Sequence, residues 1–450
     1  MKVYLETYGC QMNEYDSELV RSILAGHQHE FTPSLDHAEV VLLNTCAIRE
    51  HAHEKIFHLL DHLKGRKRRQ KGLVVGVLGC MAQSLRKEIT ERAPYVDIVA
   101  GPDSYKRLPM LIEATRNQTE QAFDFSLSEF ETYSDIAPQR VPGVNAWIAI
   151  MRGCDNFCTF CVVPYTRGRE RSRELANIVL EAERSANEGF KQMTLLGQNV
   201  NSYRNEANDF ADLMQAVSEV SGIERVRFTS PHPKDFPRKL LHTMAANPKL
   251  CKHIHLPLQA GSDSVLERMN RTYTRKEFLD LVDEIRALMP EVSLTTDVIC
   301  GFCGETDDDF EQTLEVVREV GFDSAYTFKY SERKNTIASR EFPDDVPEEV
   351  KQERLLRLAE LQKEITHERS VAELGRVYEV LVEAPSKKDG NQWLGRTDHC
   401  KPVVFTGNVQ AGDLVKVRIE AHGSNTLMGA LVQDYRRPLR VYQEVEACCV

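Results

Sequence analysis

The chain has 450 residues, enough for two or three domains, and its 42% hydrophobic and 28% charged content is ordinary for a globular protein. No apolar run approaches the ~18 residues a membrane-crossing helix needs; the opening MKVYLETYGC is strand-like with no signal-peptide layout, and the closing ACCV is not a prenylation box. A cytosolic protein is expected, whose twelve cysteines serve metal or redox chemistry rather than disulfides; at a net charge of −11, any contact with nucleic acid must be local.

Residues 1–125 read as a parallel-sheet α/β domain. Three short apolar runs each end at a cysteine: KVYLETYGC at Cys10, EVVLLNTC at Cys46 and LVVGVLGC at Cys80. Each is rich in β-branched residues and followed by a helix-like stretch, the pattern of βα units. Such sheets place ligands beyond the carboxyl ends of their strands. The three cysteines therefore read as one shared site rather than three buried structural thiols, and Gly9 and Gly79 directly before two of them support this. KGRKRRQK (64–71) carries six basic residues in eight, either a solvated face or a phosphate footprint. The polar segment 126–145, with two prolines, reads as a linker.

Over 146–370 six strand-like segments alternate with helical ones: AWIAIMRGC, QMTLLGQN, RVRFTSP, HIHLPLQ, SLTTDVICG and SAYTFKYS. Six βα units in this length predict an open, partial (βα)6 barrel rather than a closed eight-fold one. Its active face lies at the C-terminal strand ends. The charged stretch 347–370 predicts a helix. Between glycine turns, 371–437 then alternates apolar and polar residues, which predicts a small antiparallel, oligonucleotide-binding-like β-barrel; the composition leaves RNA and protein equally open as its partner. Residues 438–450 read as a tail.

The chemistry concentrates in GCDNFCTFC. Cys154, Cys158 and Cys161 follow the first barrel strand with spacing C-x3-C-x2-C, and no fourth cysteine or histidine lies nearby. Thiolates favour iron and iron–sulfur clusters. Three cysteines on a four-iron cluster leave one iron open to an exogenous ligand, the same logic that separates catalytic from structural zinc sites. Phe160, just before the last cysteine, is expected to lean on the cluster or its ligand.

This motif resembles the radical S-adenosylmethionine (SAM) superfamily. TYGCQMNEYDSE, NTCAIREHAHEK, GCDNFCTFCVVPYTRGRERSR, LLGQNVNSY, TSPHP, HLPLQAGSDSVLERMNRTYT and DVICGFCGET resemble, more closely, its methylthiotransferases, in particular the branch acting on dimethylallyl-adenosine in tRNA. The C-terminal barrel resembles the family's TRAM domain. The resemblance implies two [4Fe–4S] clusters, one on Cys154, Cys158 and Cys161 and a second, sulfur-carrying one on Cys10, Cys46 and Cys80. It implies SAM as cofactor, spent once to methylate sulfur and once to make a 5′-deoxyadenosyl radical, with contacts at Gln198, Asn199 and the backbone around Gly301 and Gly304. It implies tRNA carrying N6-dimethylallyladenosine as substrate, together with an electron donor and a sulfur source that the sequence does not identify.

Arg167, Arg169, Arg171 and Arg173, directly after the cluster loop, are expected to meet RNA phosphates. One departure stands out: Cys303 occupies the family's usual proline position in GFCGET, and reads as a substitution in a tight turn rather than a ligand paired with Cys300. Cys251, Cys400, Cys448 and Cys449 read as structural or incidental, and His232, His253 and His255 as structural rather than metal-binding. The rival readings are a sister enzyme acting on threonylcarbamoyl-adenosine in tRNA or on a ribosomal-protein aspartate, and a non-enzymatic iron–sulfur RNA-binding protein.

Overall fold

The structure is a computed structural model that describes residues 1–47, 50–118 and 121–436; the expected tail, with Cys448 and Cys449, lies outside the described residues. The first sheet has six parallel strands, β1 (Lys2–Thr7), β2 (Glu30–Phe31), β3 (Val40–Thr45), β4 (Val74–Gly79), β5 (Ile98–Ala100) and β6 (Ala122–Asp124), in the order β2-β1-β3-β4-β5-β6. β3 (VVLLNT) and β4 (VVGVLG) are buried at every position, as parallel strands covered on both faces must be. Val40 and Leu42 join Tyr15, Leu19 and Ile23 of helix Gln11–Gly26 on one face. Val41 and Leu43 join Ile56, Phe57, Leu60 and Leu63 of helix Glu50–Arg69 on the other.

The middle of the chain forms a six-stranded parallel half-barrel. Strands β7 (Asn145–Ala149), β8 (Gln192–Leu196) and β9 (Arg225–Phe228) pair in the order β9-β8-β7, and β10 (His253–His255), β11 (Ser293–Cys300) and β12 (Ser324–Lys329) pair in sequence order. The triplets join where Val226 bridges Leu250 and the Cys251 amide donates to the Val226 carbonyl at 2.9 Å. Ile254, Leu294 and Val298 lie in the core with Phe278 and Ile285 of helix Arg275–Leu288 and Phe310 and Leu314 of helix Asp307–Val320. On the inner face of β7 and β8, Ala149, Leu196 and Trp147 share the first domain's core. Burying one apolar core between the two domains ties them to each other.

The segment 126–145 carries a fully buried anchor. Tyr133 donates its hydroxyl to the Pro102 carbonyl at 2.9 Å and lies beneath the Arg152 guanidinium at 4.6 Å. Helix Glu348–Val371 packs Leu358 and Ile365 against the half-barrel core.

The last five strands, β13 (Val377–Pro385), β14 (Trp393–Thr397), β15 (Pro402–Thr406), β16 (Leu414–His422) and β17 (Leu427–Arg436), close into a barrel. Four of its pairings are antiparallel, as expected; the closing pair β15–β17 is parallel. It docks on the N-terminal strand ends of the half-barrel: Arg225 at the start of β9 donates to the Arg396 and Glu379 carbonyls, and Lys401 pairs with Asp323 just before β12 at 2.8 Å. That rim is opposite the cysteine mouth and, by the eight residues of β11, about 27 Å from it. No helix among the described residues is long and apolar enough to cross a membrane.

Candidate active site

The strand ends of the two parallel sheets face each other across one cavity. Its lining includes Cys10, Cys46 and Cys80 from the first domain, and Val162, Thr166, Arg167, Gln198, Thr229 and Ser230 from the half-barrel. Its volume is about 180 Å³, comparable with a cavity of ~150 Å³ that admits benzene. Cys10, Cys46 and Cys80 each follow their strand by no more than three residues, and Gly9 shows how near the first two come. At φ +143°, a Cβ there would fall 2.6 Å from the Cys46 Cβ, so only glycine lets the loops approach. A hydrogen bond with Cys46, aided by the Arg167 guanidinium, holds Cys10 below the usual thiol range against the effect of burial; burial pushes Cys80 up.

The second cysteine loop is held on several sides. Gly153 has φ +81°, and a Cβ there would sit 1.9 Å from the Arg169 carbonyl oxygen. The Gly153 amide donates to Gln198 Oε1 at 2.7 Å. The Thr159 amide and hydroxyl donate to the Met269 and Arg268 carbonyls at 3.0 and 2.8 Å, and Asn270 Nδ2 donates to the Asn156 and Phe157 carbonyls. The stretch VLERMNRTYT therefore clamps the cysteine loop from across the barrel. Within it, Arg271 is buried and donates from Nη1 to Cys158 Sγ at 3.3 Å and from Nη2 to the Pro257 carbonyl at 3.3 Å. Cys161 Sγ accepts from the Val163 amide at 3.4 Å, and Phe160 stacks edge-on to Phe302 at 6.4 Å. Burial pushes the Cys154 thiol up to about 12, so a metal bound there would have to displace its proton.

Among the described residues no three Cys, His, Asp or Glu side chains converge on a single-ion position. A four-iron cluster does not ask for that, because each thiolate takes a different iron. The donor sets fit such clusters: three soft ligands each, with no fourth at hand. Asn199 fits a polar cofactor beside one of them. Its Nδ2 donates to Glu170 Oε1 at 3.4 Å while its buried Oδ1 accepts no hydrogen bond, leaving an acceptor for an ammonium or amide donor.

Several expectations need correction. Arg167, Arg171 and Arg173 are buried rather than turned to solvent. Arg167 pairs with Asp16 at 2.8 Å, Arg171 with Asp103 at 2.8 Å and Arg173 with Glu181 at 2.7 Å. Two of those carboxylates belong to the first domain, so two of these arginines brace the domains instead of meeting phosphate. Of the four, Arg169 alone stays at the surface, its side chain 67% exposed over the Phe157 ring. The basic run 64–71 sits at the far end of a 20-residue helix, about 30 Å from the cysteine edge. Arg66 there pairs with Asp36 and Lys67 with Asp97.

Gly301 and Gly304 are turn residues whose amides are already taken. Gly301 donates to Glu305 Oε1 at 2.8 Å and Gly304 to Asp345 Oδ1 at 2.6 Å. Cys303 lies in that turn beside Tyr330, and Cys300 Sγ reaches the Phe328 carbonyl at 3.4 Å. Cys251 and Cys400, isolated in sequence, meet through their thiols where the C-terminal barrel docks. Asp16, Asn270 and Arg271 stand in the motifs TYGCQMNEYDSE and HLPLQAGSDSVLERMNRTYT, but sequence reasoning gave them no role, because the contacts that define it, with Arg152, Asn156 and Cys158, are more than 100 positions away.

Three profiles match the chain: the uncharacterized protein family UPF0004 over residues 2–101, the radical SAM superfamily over 148–317 and the TRAM domain over 371–432. A tRNA-2-methylthio-N(6)-dimethylallyladenosine synthase of Chlorobium luteolum is 48% identical over 433 residues, covering 95% of this chain and 97% of the relative. One from Porphyromonas gingivalis is 46% identical over 442 residues, covering 96% and 95%. The chain belongs to the tRNA-2-methylthio-N(6)-dimethylallyladenosine synthase family. Among solved structures, the radical SAM methyltransferase TsrM from Kitasatospora setae matches with TM-score 0.56 at 14% identity, over 72% of each chain. The cobalamin-dependent SAM radical enzyme OxsB matches with TM-score 0.53 at 13% identity, over 82% of this chain and 56% of its own. These two share the fold.

Membership of this synthase family, within the radical SAM superfamily, implies a [4Fe–4S] cluster and SAM. It also gives the Arg271 contact a consequence. Hydrogen bonds to the sulfurs and nearby charge set a cluster's potential, and the guanidinium on Cys158 would favour the reduced, more negative state of a cluster held there. Arg271→Gln is expected to move the cluster's reduction midpoint to a more negative value in a titration followed by electron paramagnetic resonance; an unchanged midpoint would remove that role.

Proposed function

We propose that the protein places a methylthio group on C2 of N6-(dimethylallyl)adenosine at position 37 of tRNA, next to the anticodon. The observation that carries this reading is one cavity lined by Cys10, Cys46 and Cys80 of the first domain and by Arg167, Gln198, Ser230 and Val162, the residue directly after Cys161, of the half-barrel. Bound at Cys154, Cys158 and Cys161, a cluster with SAM supplies a 5′-deoxyadenosyl radical, and one bound at Cys10, Cys46 and Cys80 supplies the sulfur. Hydrogen on C2 of an adenine ring is not acidic, so removing it calls for radical rather than acid–base chemistry.

The chain's own residues hold the partners in place. Gln198 ties the cysteine loop to the end of β8 through Gly153. Asn199 Oδ1 offers an acceptor to the amino group of SAM. Arg167 reaches from the half-barrel to Asp16 and Asn13 beside Cys10, so one side chain registers the sulfur site against the radical site. The apolar wall at Val162, Ala47 and Leu196 limits water in the cavity. The C-terminal barrel, about 27 Å from the mouth, would hold the stem while a loop base, unstacked for the chemistry, enters the mouth.

Nucleosides from tRNA of a strain lacking the gene provide the test. Mass spectrometry is expected to show loss of the 2-methylthio-dimethylallyl nucleoside and build-up of its dimethylallyl precursor. Persistence of the methylthio nucleoside would refute the assignment and return the sister activities to consideration.

A further inference from the structure

The inner face of the half-barrel carries a group of side chains that neither the cysteines nor the cofactor contacts use. Parallel pairing sets His255 opposite Thr295, Asp297 opposite Tyr326 and Ile299 opposite Phe328. Strand side chains alternate between faces, so these residues share the face turned away from the helices, while Ile254, Leu294 and Val298 fill the other. His255 Nδ1 lies 3.0 Å from Thr295 Oγ1, and its Nε2 lies 3.1 Å from Asp297 Oδ2. The Tyr326 ring meets the His255 ring edge-on at 6.2 Å. Tyr326 is nevertheless 60% exposed and Phe328 43%. Two neighbouring aromatic rings on an inward face, left bare beside an anchored carboxylate, are the parts of a binding wall. The wall leads to the mouth: two residues beyond His255, the Pro257 carbonyl accepts from the arginine that holds Cys158.

We infer that this face receives the substrate base, with Tyr326 and Phe328 stacking the adenine, Asp297 accepting its N6–H, and Phe328 with Ile299 covering the dimethylallyl group. The inference rests on the function proposed above and names the residues that select its substrate. A base drawn out of an anticodon loop loses its stacking neighbours, and aromatic side chains are the usual replacement. An alkylated N6 keeps a single N–H, which suits one carboxylate oxygen, and carries an apolar branch that needs apolar cover. N6 and C2 lie on the same edge of the purine, separated by C6 and N1, so fixing N6 fixes where C2 points.

The test is binding of two anticodon stem-loop RNAs to the reconstituted holoenzyme at saturating SAM, one with dimethylallyl-adenosine and one with unmodified adenosine, read by fluorescence anisotropy. The unaltered protein is expected to prefer the dimethylallyl RNA. Tyr326→Ala is expected to weaken both RNAs on the order of tenfold, and Phe328→Ala to abolish the preference. Both side chains are substantially exposed, so their truncation leaves the core intact; an unchanged melting curve checks this. Unchanged affinities in both variants overturn the inference, as does a loss seen in SAM binding and not in RNA binding. Equal binding of the two RNAs by the unaltered protein overturns the functional reading, and the inference with it.

Discussion

Asp16→Ala is expected to destabilise the protein by about 3–5 kcal/mol, the range for removing one partner of a buried ion pair. Asp16 is fully buried and binds Arg152 at 2.7 Å, Arg167 at 2.8 Å and the Tyr105 hydroxyl at 3.2 Å. Without it two buried guanidiniums lose the carboxylate they share, and Arg152 is left over the Tyr133 ring with Asp103 as the remaining nearby carboxylate. The pH dependence follows. Burial alone would raise the Asp16 carboxyl, but Arg152 and Arg167 outweigh it and hold it below the usual range. A carboxyl depressed on folding contributes its stability above the unfolded value of ~3.9 and loses it as pH falls through the folded value. Denaturant midpoints of Asp16→Ala and the unaltered protein are therefore expected to differ at pH 7 and to converge in acid, below about pH 4. Equal midpoints at pH 7 would mean that the network contributes nothing net. Because Arg167 also borders Cys10 and Cys80, the same substitution is expected to disturb the cavity before it unfolds the chain.

Replacing single cysteines is expected to separate the two triplets. Cys154→Ala should abolish reductive cleavage of SAM. Cys80→Ala should remove the methylthio product while 5′-deoxyadenosine still forms. Each should lower iron from about eight to about four per chain after anaerobic reconstitution, one four-iron cluster per triplet. Cys303→Pro and Cys251→Ala should leave iron at the full value, because both side chains lie away from the two triplets. Four irons in the unaltered protein would eliminate the second cluster and with it the role given to Cys10, Cys46 and Cys80.

Local sequence patterns carried the elements and the candidate ligands. Runs such as VVLLNT and VVGVLG bury every residue, and a strand covered on both faces leaves that unbroken apolar signature wherever it occurs. Five of the six half-barrel strands fall within the segments that periodicity marked, and β7 starts one residue before its segment, at Asn145. The C-x3-C-x2-C loop needs no tertiary contact to be recognised, since its spacing is local. Even the distant trio was legible, because a cysteine placed just beyond each parallel strand reaches the same sheet edge.

What the charged residues do depends on contacts that form across the fold. TRGRERSR looks like a phosphate-binding stretch, yet three of its four arginines turn inward to Asp16, Asp103 and Glu181. A guanidinium has the same sequence signature whether it faces water or a buried carboxylate, and its burial is tolerable only because a partner contributed by a distant segment offsets the lost hydration. The same holds for Arg271 on Cys158, for the meeting of Cys251 with Cys400, and for His255, Asp297 and Tyr326, which parallel register alone brings together. Local patterns record what a residue does to its own strand or helix; an ion pair or binding wall between segments far apart in sequence exists only once the chain has closed on itself.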